Sequence, residues 1–452
     1  MLVEEKDCIR ITELAIKHAG NRVDGIEVLV TGSNLSTSRF ANNSMTQNQS
    51  PSRSTVSVRV LKGSRQARLE SDDLSDQGVK TVVDHAITSV GMLSDADILL
   101  PLPQLSETTS NVKNGFTRFD PQTANLTPQA RSLAIKSMID TAKAHNLRSA
   151  GIFSSGIHFM SLGNSNGMFL THSESEAGCS VTMVADNSTG WAQYVSPTAS
   201  LINARELAEE AAEKAAMSAN PHDIEPGHYT VILPPCAVND LLNYMWADFT
   251  GTSHVDKLSS LLGKVGEKVF GDNINVVDDV FHPMQSGAPF DGEGIPRSKV
   301  TLVKNGVVEH LVFGRRSAHR WGTPPTGHGM SEPSPLGEFP INVVMEGGTT
   351  SIQEMIKSTE RGILLSRVWY VRLVEPTTVL LTGMTRDGTF WIENGKLKHG
   401  IKNLRFNISV IELLKNVVAL GPVQRVQGIE GAPSVVPALK VNNFHFSSTT
   451  KF

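Results

Sequence analysis

The apolar positions of this chain repeat with two periods, one helical and one strand-like, and the switches between them mark out its elements. Residues 7–19 predict a first helix, and strand-like runs follow in GIEVLV at 25–30 and STVSVRVLKG at 54–63. Val79, Val82, Val83 and Ile87 fall on one stripe of a helix predicted over 75–93. A polar, proline-containing stretch covers 101–124, and the next helix is predicted over 127–145. From 149 to 196 the pattern is that of a meander, with turn signals at Asn166-Gly167 and Asn187-Ser188. The Ala- and Glu-rich segment 203–220 predicts a further helix.

Pro221 and the EPGH run at 225–228 punctuate the chain and place the main domain boundary there. Residues 1–222 are expected to form an N-terminal α/β domain and 223–452 a strand-rich C-terminal domain. Beyond the boundary, YTVILP reads as a buried strand. In PPCAVNDLLNYMWADFTG, Pro234 to Gly251, the residues Val238, Leu241, Leu242, Met245, Trp246 and Phe249 recur at the spacing of a helix packed on a core. Strands broken by a Gly- and Pro-rich loop are expected over 273–315, and a long loop over 316–340, which holds five of the 22 prolines. Strands resume at 341–345 and 367–381. SVIELLKNVVALG predicts a last helix stopped by Gly421-Pro422. The expected class is α+β: an N-terminal mixed sheet with helices, then a barrel-like, strand-rich domain with the 236–250 helix against it.

Composition narrows the function classes. The 452 residues are 39% hydrophobic and 19% charged, which argues against disorder and fibrous architecture. A net charge of −4 supplies no global attraction to nucleic acid or anionic membrane, so neither is expected as a partner. No apolar run has the length of a transmembrane helix. The N-terminus carries acids where a signal peptide needs bases, and the three cysteines, Cys8, Cys179 and Cys236, are far apart. A cytoplasmic protein is expected.

Candidate chemistry is sparse. Gly163-Asn164-Ser165-Asn166-Gly167 fits the G-x-S-x-G pattern, but strands flank it on both sides, so a hairpin turn is expected rather than a nucleophile elbow. His254, Asp248 and Asn243 could in principle surround a metal, yet Asn is a poor zinc ligand, and no H-E-x-x-H or H-x-x-x-H spacing occurs. Asp291-Gly292-Glu293-Gly294 sets two carboxylates among glycines; a close backbone approach and a solvated turn are both open. Arg315, Arg316, His319 and Arg320 cluster around Trp321 as a salt-bridged loop base. Trp321 and Met330 are residue types suited to interface cores, so the 315–340 loop and the Asp291–Gly294 turn are expected near one peptide cleft or subunit interface.

Several stretches together resemble the TldD/PmbA (TldD/TldE) family of zinc metallopeptidases. They are FANNSMTQN (Phe40–Asn48), Val56–Ser75, DIEPGHYTVILPPCAV, PINVVMEGG and FWIENGKL (Phe390–Leu397). The most specific is GAPFDGEGIPRSKVTLVKNGVVEHLVF (Gly287–Phe313), with Phe290, Asp291, Glu293, Gly294 and Pro296 in the pattern. The resemblance runs from about residue 10 to 440. In the family's catalytic branch a helix carries His-Glu-x-x-x-His, and a Cys near the C-terminus completes the zinc site. Here those helix positions hold Asn243, Tyr244 and Asp248, and no Cys follows Cys236. The resemblance therefore implies the non-catalytic, PmbA/TldE-like branch: no cofactor in this chain, with zinc in a TldD-like partner subunit, and unfolded or modified peptides as substrate. The alternatives are a stand-alone homodimeric peptide-binding or regulatory protein, in line with the family's naming as a modulator of DNA gyrase, and an active metallopeptidase with atypical ligands.

Overall fold

The computed structural model describes residues 4–108, 117–428 and 433–450. Of the polar stretch at 101–124, positions 109–116 lie outside the described residues. The fold is α+β, built on two large sheets.

The first sheet contains β1 (Gly25–Ala41), β2 (Ser44–Gln49), β3 (Ser52–Lys62), β4 (Arg65–Ser71), β5 (Arg148–Asn164), β6 (Phe169–Val184) and β7 (Thr189–Ser196). Their order is β4-β3-β1-β5-β6-β7, with β2 also on β1. The ladders are antiparallel, so the mixed pairing expected for this sheet belongs to the second one. Alternation decides which face is which. Ile26, Val28 and Val30 of β1 and Val56, Val58 and Val60 of β3 are buried on one face. Against that face pack the helices Glu5–Ala19 and Asp76–Met92 through Ile11, Ala15, Val79 and Val83. The helices Pro128–Ala144 and Ala204–Met217 cover the same face beside β5 to β7. Ser75, Thr127 and Asn203 cap three of these helices through their side-chain oxygens. The opposite face of the sheet carries Glu27, Leu29, Thr31 and Ser33 and meets the second half of the chain.

The second sheet holds β8 (Gly227–Leu233), β9 (Val276–Asp278), β10 (Val300–Lys304), β11 (Val307–Val308), β12 (Val343–Met345), β13 (Arg361–Glu375), β14 (Leu380–Glu393), β15 (Lys396–Gly400), β16 (Leu404–Ser409), β17 (Val417–Val426) and β18 (Ser434–Thr449). β8 pairs with both β13, in parallel, and β18, antiparallel. With β14 and β16 these strands close a five-membered ring, the source of the barrel-like character. The long β18 continues past the ring to pair with β12 and β17.

Four further expectations are corrected. The Pro234–Gly251 segment is not one helix. An α-helix runs over Pro235–Leu242, a 3₁₀ turn over Trp246–Phe249, and a second α-helix over Gly251–Val255. Beyond Leu242 the winding tightens, with Met245 N–H donating to Leu242 and Asp248 N–H to Met245. The apolar stripe survives this break: Val238, Leu241, Leu242, Met245, Trp246 and Phe249 are all 0–1% exposed. Each such side chain contributes about 1.5–3 kcal/mol by leaving water, so burial rather than helical continuity sets the path. The expected 316–340 loop opens with a helix, Arg315–Trp321, ended by Gly322 in the left-handed conformation. The expected 367–381 strand is two strands, because Pro376–Thr378 form a 3₁₀ turn between β13 and β14. The last helix covers only Val410–Lys415, and β17 then continues past Gly421-Pro422 on the edge of β18, with the register shifting between Leu420 and Val423. An edge position tolerates that proline.

Candidate functional site at the junction of the sheets

Asn243, Tyr244 and Asp248, the positions that the resemblance sets against a zinc-binding motif, are engaged in internal bonds. Tyr244 Oη donates to Val371 O at 2.7 Å. One Asp248 carboxylate oxygen accepts the Ser260 N–H at 2.6 Å, and burial raises this carboxyl above its ordinary value despite the bonds from Ser260 and Ser259. His254 is engaged with the Asp248 carbonyl at 2.9 Å, and burial lowers its pKa. Asn243 closes the Pro235–Leu242 helix, its N–H on Asn239 O. Among the described residues no three His, Cys, Asp or Glu side chains converge as a metal-binding group. An amide, a phenol already donating and a carboxylate already accepting are a poor fit to zinc.

The Asp291–Gly294 turn and the 315–340 segment pack together. Gly292 N–H donates to Gly329 O at 2.8 Å, and Gly329 N–H returns a bond to Asp291 at 2.7 Å. The other Asp291 oxygen accepts from Glu293 N–H and Ile295 N–H, both at 2.9 Å. Glu293 accepts the Arg315 N–H at 3.0 Å. Both acids are buried, at 1% and 5% exposure. Burial raises Asp291, against the pull of Arg297, and raises Glu293 to about 8, with the Asp291 charge adding to the rise. Gly294, at φ +83°, lies where a Cβ would come within 2.5 Å of Met168 of the first half. The turn is thus wedged at the junction of the two sheets, with Phe290 and Ala288 in one apolar cluster with Leu162 and Met168. Trp321 and Met330 stand apart from this burial, 47% and 36% exposed. Trp321 packs edge-on to His254 and beside Phe313. The arginines around it are paired: Arg315 with Glu293, Arg316 with Glu332, Arg320 with Asp256.

Polar bonds also cross the junction. Arg68 joins buried Glu27 to the Glu332 carbonyl, and Arg59 lies 3.8 Å from Glu27. Arg118 reaches the Pro283, Val280 and His282 carbonyls. Gly287 N–H donates to Glu174 at 2.6 Å.

Beside the turn lies a cavity of about 510 Å³. Its floor is two cross-strand rows of the first sheet, Thr55–Thr31–Met160–His172 and Arg53–Ser33–His158–Glu174. Its roof is formed by Ala288, Phe290, Arg297 and Ile341. The Arg297 side chain, 8% exposed, has neither Nε nor Nη1 in a hydrogen bond. Burial by itself would raise the Glu174 carboxyl, but the His172 ring and the Gly287 N–H outweigh it and hold the group below its usual range. His158 is raised by its bond to Glu176. Reasoning from the sequence missed this cavity. The one available signal was the recurrence of polar residues at every second position of β3 (Arg53, Thr55, Ser57, Arg59) and β6 (His172, Glu174, Glu176), a face too polar for a core and too regular for a loop. The G-x-S-x-G run is the β5–β6 turn, as expected, with Ser165 bonded to the Ile26 backbone through its N–H and its Oγ.

Comparison with known proteins agrees with this architecture. Family models for the PmbA/TldA metallopeptidase central domain and C-terminal domain match residues 126–219 and 226–448. The chain is 21% identical to the metalloprotease PmbA of Escherichia coli O157:H7 over 94% of each chain. It is 29% identical to a metalloprotease of Methanothermobacter thermautotrophicus over 36% of each. In fold it is similar to TldE from Thermococcus kodakarensis, with a TM-score of 0.84 at 20% identity over 98% of this chain and 100% of that one. A candidate modulator of a DNA gyrase from Thermotoga maritima gives 0.83 at 19% identity, over 98% and 100%. With two family domains matched in order along most of its length, this chain belongs to the PmbA/TldD metallopeptidase family.

Proposed function

We propose that this chain is the zinc-free, non-catalytic subunit of a TldD/TldE-type metallopeptidase that acts on unfolded or modified peptides. The carrying observation is the fate of the motif positions: Asn243, Tyr244 and Asp248 replace zinc ligands and general base, and the latter two are committed to Val371 and Ser260. A metallopeptidase draws its nucleophile from metal-bound water, whose pKa falls from about 15.7 to about 7, so the nucleophile is assigned to a partner subunit bearing His-Glu-x-x-x-His. The exposed Trp321 and Met330 are candidates for contact with that partner or with peptide. No helix among the described residues is long and apolar enough to cross a membrane. The three cysteines are free, and burial pushes Cys179 and Cys236 up to about 12, which suits a reducing cytoplasm.

Reconstitution tests the proposal. The chain purified without a His tag should contain no stoichiometric zinc and should leave unfolded protein intact. Co-expressed with a His-Glu-x-x-x-His-bearing family member, it should co-purify and give chelator-sensitive cleavage. Chelator-sensitive cleavage by this chain alone, at the rate of the mixture, would refute the assignment. A homodimer that ignores every such partner would favour the regulatory alternative.

A further inference from the structure

We infer that the junction cavity is a binding site for a monoanionic carboxylate on an apolar body, the C-terminal residue of a peptide being the source that fits best. Donors and acceptors around the cavity do not balance. Its acids are already satisfied: Asp291 accepts three backbone N–H groups, and Glu174 accepts from Gly287 with the His172 ring 3.7 Å away. The nearby Asp278 is likewise occupied, by His328 and by the Asn342 N–H. Arg297 is not satisfied. Its guanidinium feels the charges of Asp278 and Asp291 but bonds neither, and it forms part of the cavity wall. A buried guanidinium with open donors calls for an acceptor, and a carboxylate matches its fork. Arg53 and the Ser33 hydroxyl add donor capacity along the floor.

Charge and shape exclude neighbouring ligand classes. Asp278 and Asp291 lie near the guanidinium and Glu174 lines the same cavity, so a dianion such as phosphate meets more repulsion than a single carboxylate. The remaining wall is apolar, from Met160, Ala288, Phe290 and Ile341, and suits an aliphatic or aromatic side chain. About 510 Å³ holds a ligand of two or three residues. This site is separate from the Asn243–Asp248 segment, and its ligand does not depend on the partnership proposed above.

Calorimetric titration of the full chain alone tests the inference, so a failed reconstitution leaves it standing. The probes are N-acetyl-Ala-Leu, its C-terminal amide, 4-methylpentanoate and inorganic phosphate. The acid should bind about tenfold or more tightly than the amide, since an ionic hydrogen bond is at stake. Arg297→Gln should abolish that difference. Because Arg297 is buried, a second variant, Ser33→Phe, fills the cavity without removing a buried charge, and it should lose peptide binding with thermal unfolding unchanged. If 4-methylpentanoate binds as tightly as the peptide, the carboxylate site stands with a free acid as its source. Weaker binding of 4-methylpentanoate supports the peptide end. Equal affinity for acid and amide, tighter binding of phosphate, undiminished binding by folded Ser33→Phe, or no binding of any probe at millimolar concentration would overturn the assignment.

Discussion

Replacing Glu293 by Gln should make this protein more stable, and the gain should grow with pH. Glu293 is 5% exposed and sits beside Asp291, and its carboxyl is raised from 4.5 to about 8 by burial and then by the Asp291 charge. A carboxyl raised on folding binds its proton more tightly in the folded state. Between about pH 4.5 and pH 8 the folded chain therefore holds a proton that the unfolded chain has released, and stability falls as pH rises through that window. Each tenfold displacement of the equilibrium is worth about 1.4 kcal/mol, so the penalty above pH 8 has a ceiling of about 5 kcal/mol. Gln keeps the carbonyl that accepts the Arg315 N–H and removes the ionisation. Urea unfolding of both proteins at pH 5, 7 and 9 measures the effect. The variant should match the wild type near pH 5 and exceed it by several kcal/mol at pH 9. A stability difference that stays constant across this range, or a variant that loses ground as pH rises, would contradict a proton held by Glu293 in the folded state.

Three further outcomes follow from the junction and the exposed segment. Arg68→Met should cost about 3 kcal/mol by leaving Glu27, 0% exposed, with only Arg59 nearby, and adding Glu27→Gln should recover most of the loss in urea unfolding. Gly327→Ala should cost about 3 kcal/mol, since φ is +74° and a Cβ would stand 2.2 Å from the Pro296 carbonyl oxygen; differential scanning calorimetry would detect it, and an unchanged melting temperature would count against the turn geometry. Trp321→Ala should change chain stability by less than about 1 kcal/mol, because the side chain is 47% exposed, while weakening association with a partner subunit or peptide by about 2 kcal/mol in a binding titration; an unchanged dissociation constant for both would remove Trp321 from the contact surface.

Local chemistry made much of this protein legible in its sequence. The helices over Glu5–Ala19, Asp76–Met92, Pro128–Ala144 and Ala204–Met217 lie within a few residues of where periodicity put them. A stripe or a cap needs only its own neighbours. The β5–β6 hairpin was readable from Asn166-Gly167 for the same reason. Elements held by distant pairing were not readable. β1 continues eleven residues beyond its apolar run, from Thr31 to Ala41, because β5 holds it through a polar stretch with no strand signature of its own. β17 runs through Gly421-Pro422, a helix stop by local rules, because β18 offers it an edge. The same limit hid the site. Asp291 and Glu293 could be flagged as a turn, but their burial depends on Met168, Gly329 and Arg315 arriving from elsewhere. Arg297 faces two rows drawn from four strands, polar but for Met160. Periodicity along a chain encodes which side of an element is apolar; which polar sides are brought face to face, and so which donors are left without acceptors, is decided only when the sheets pack.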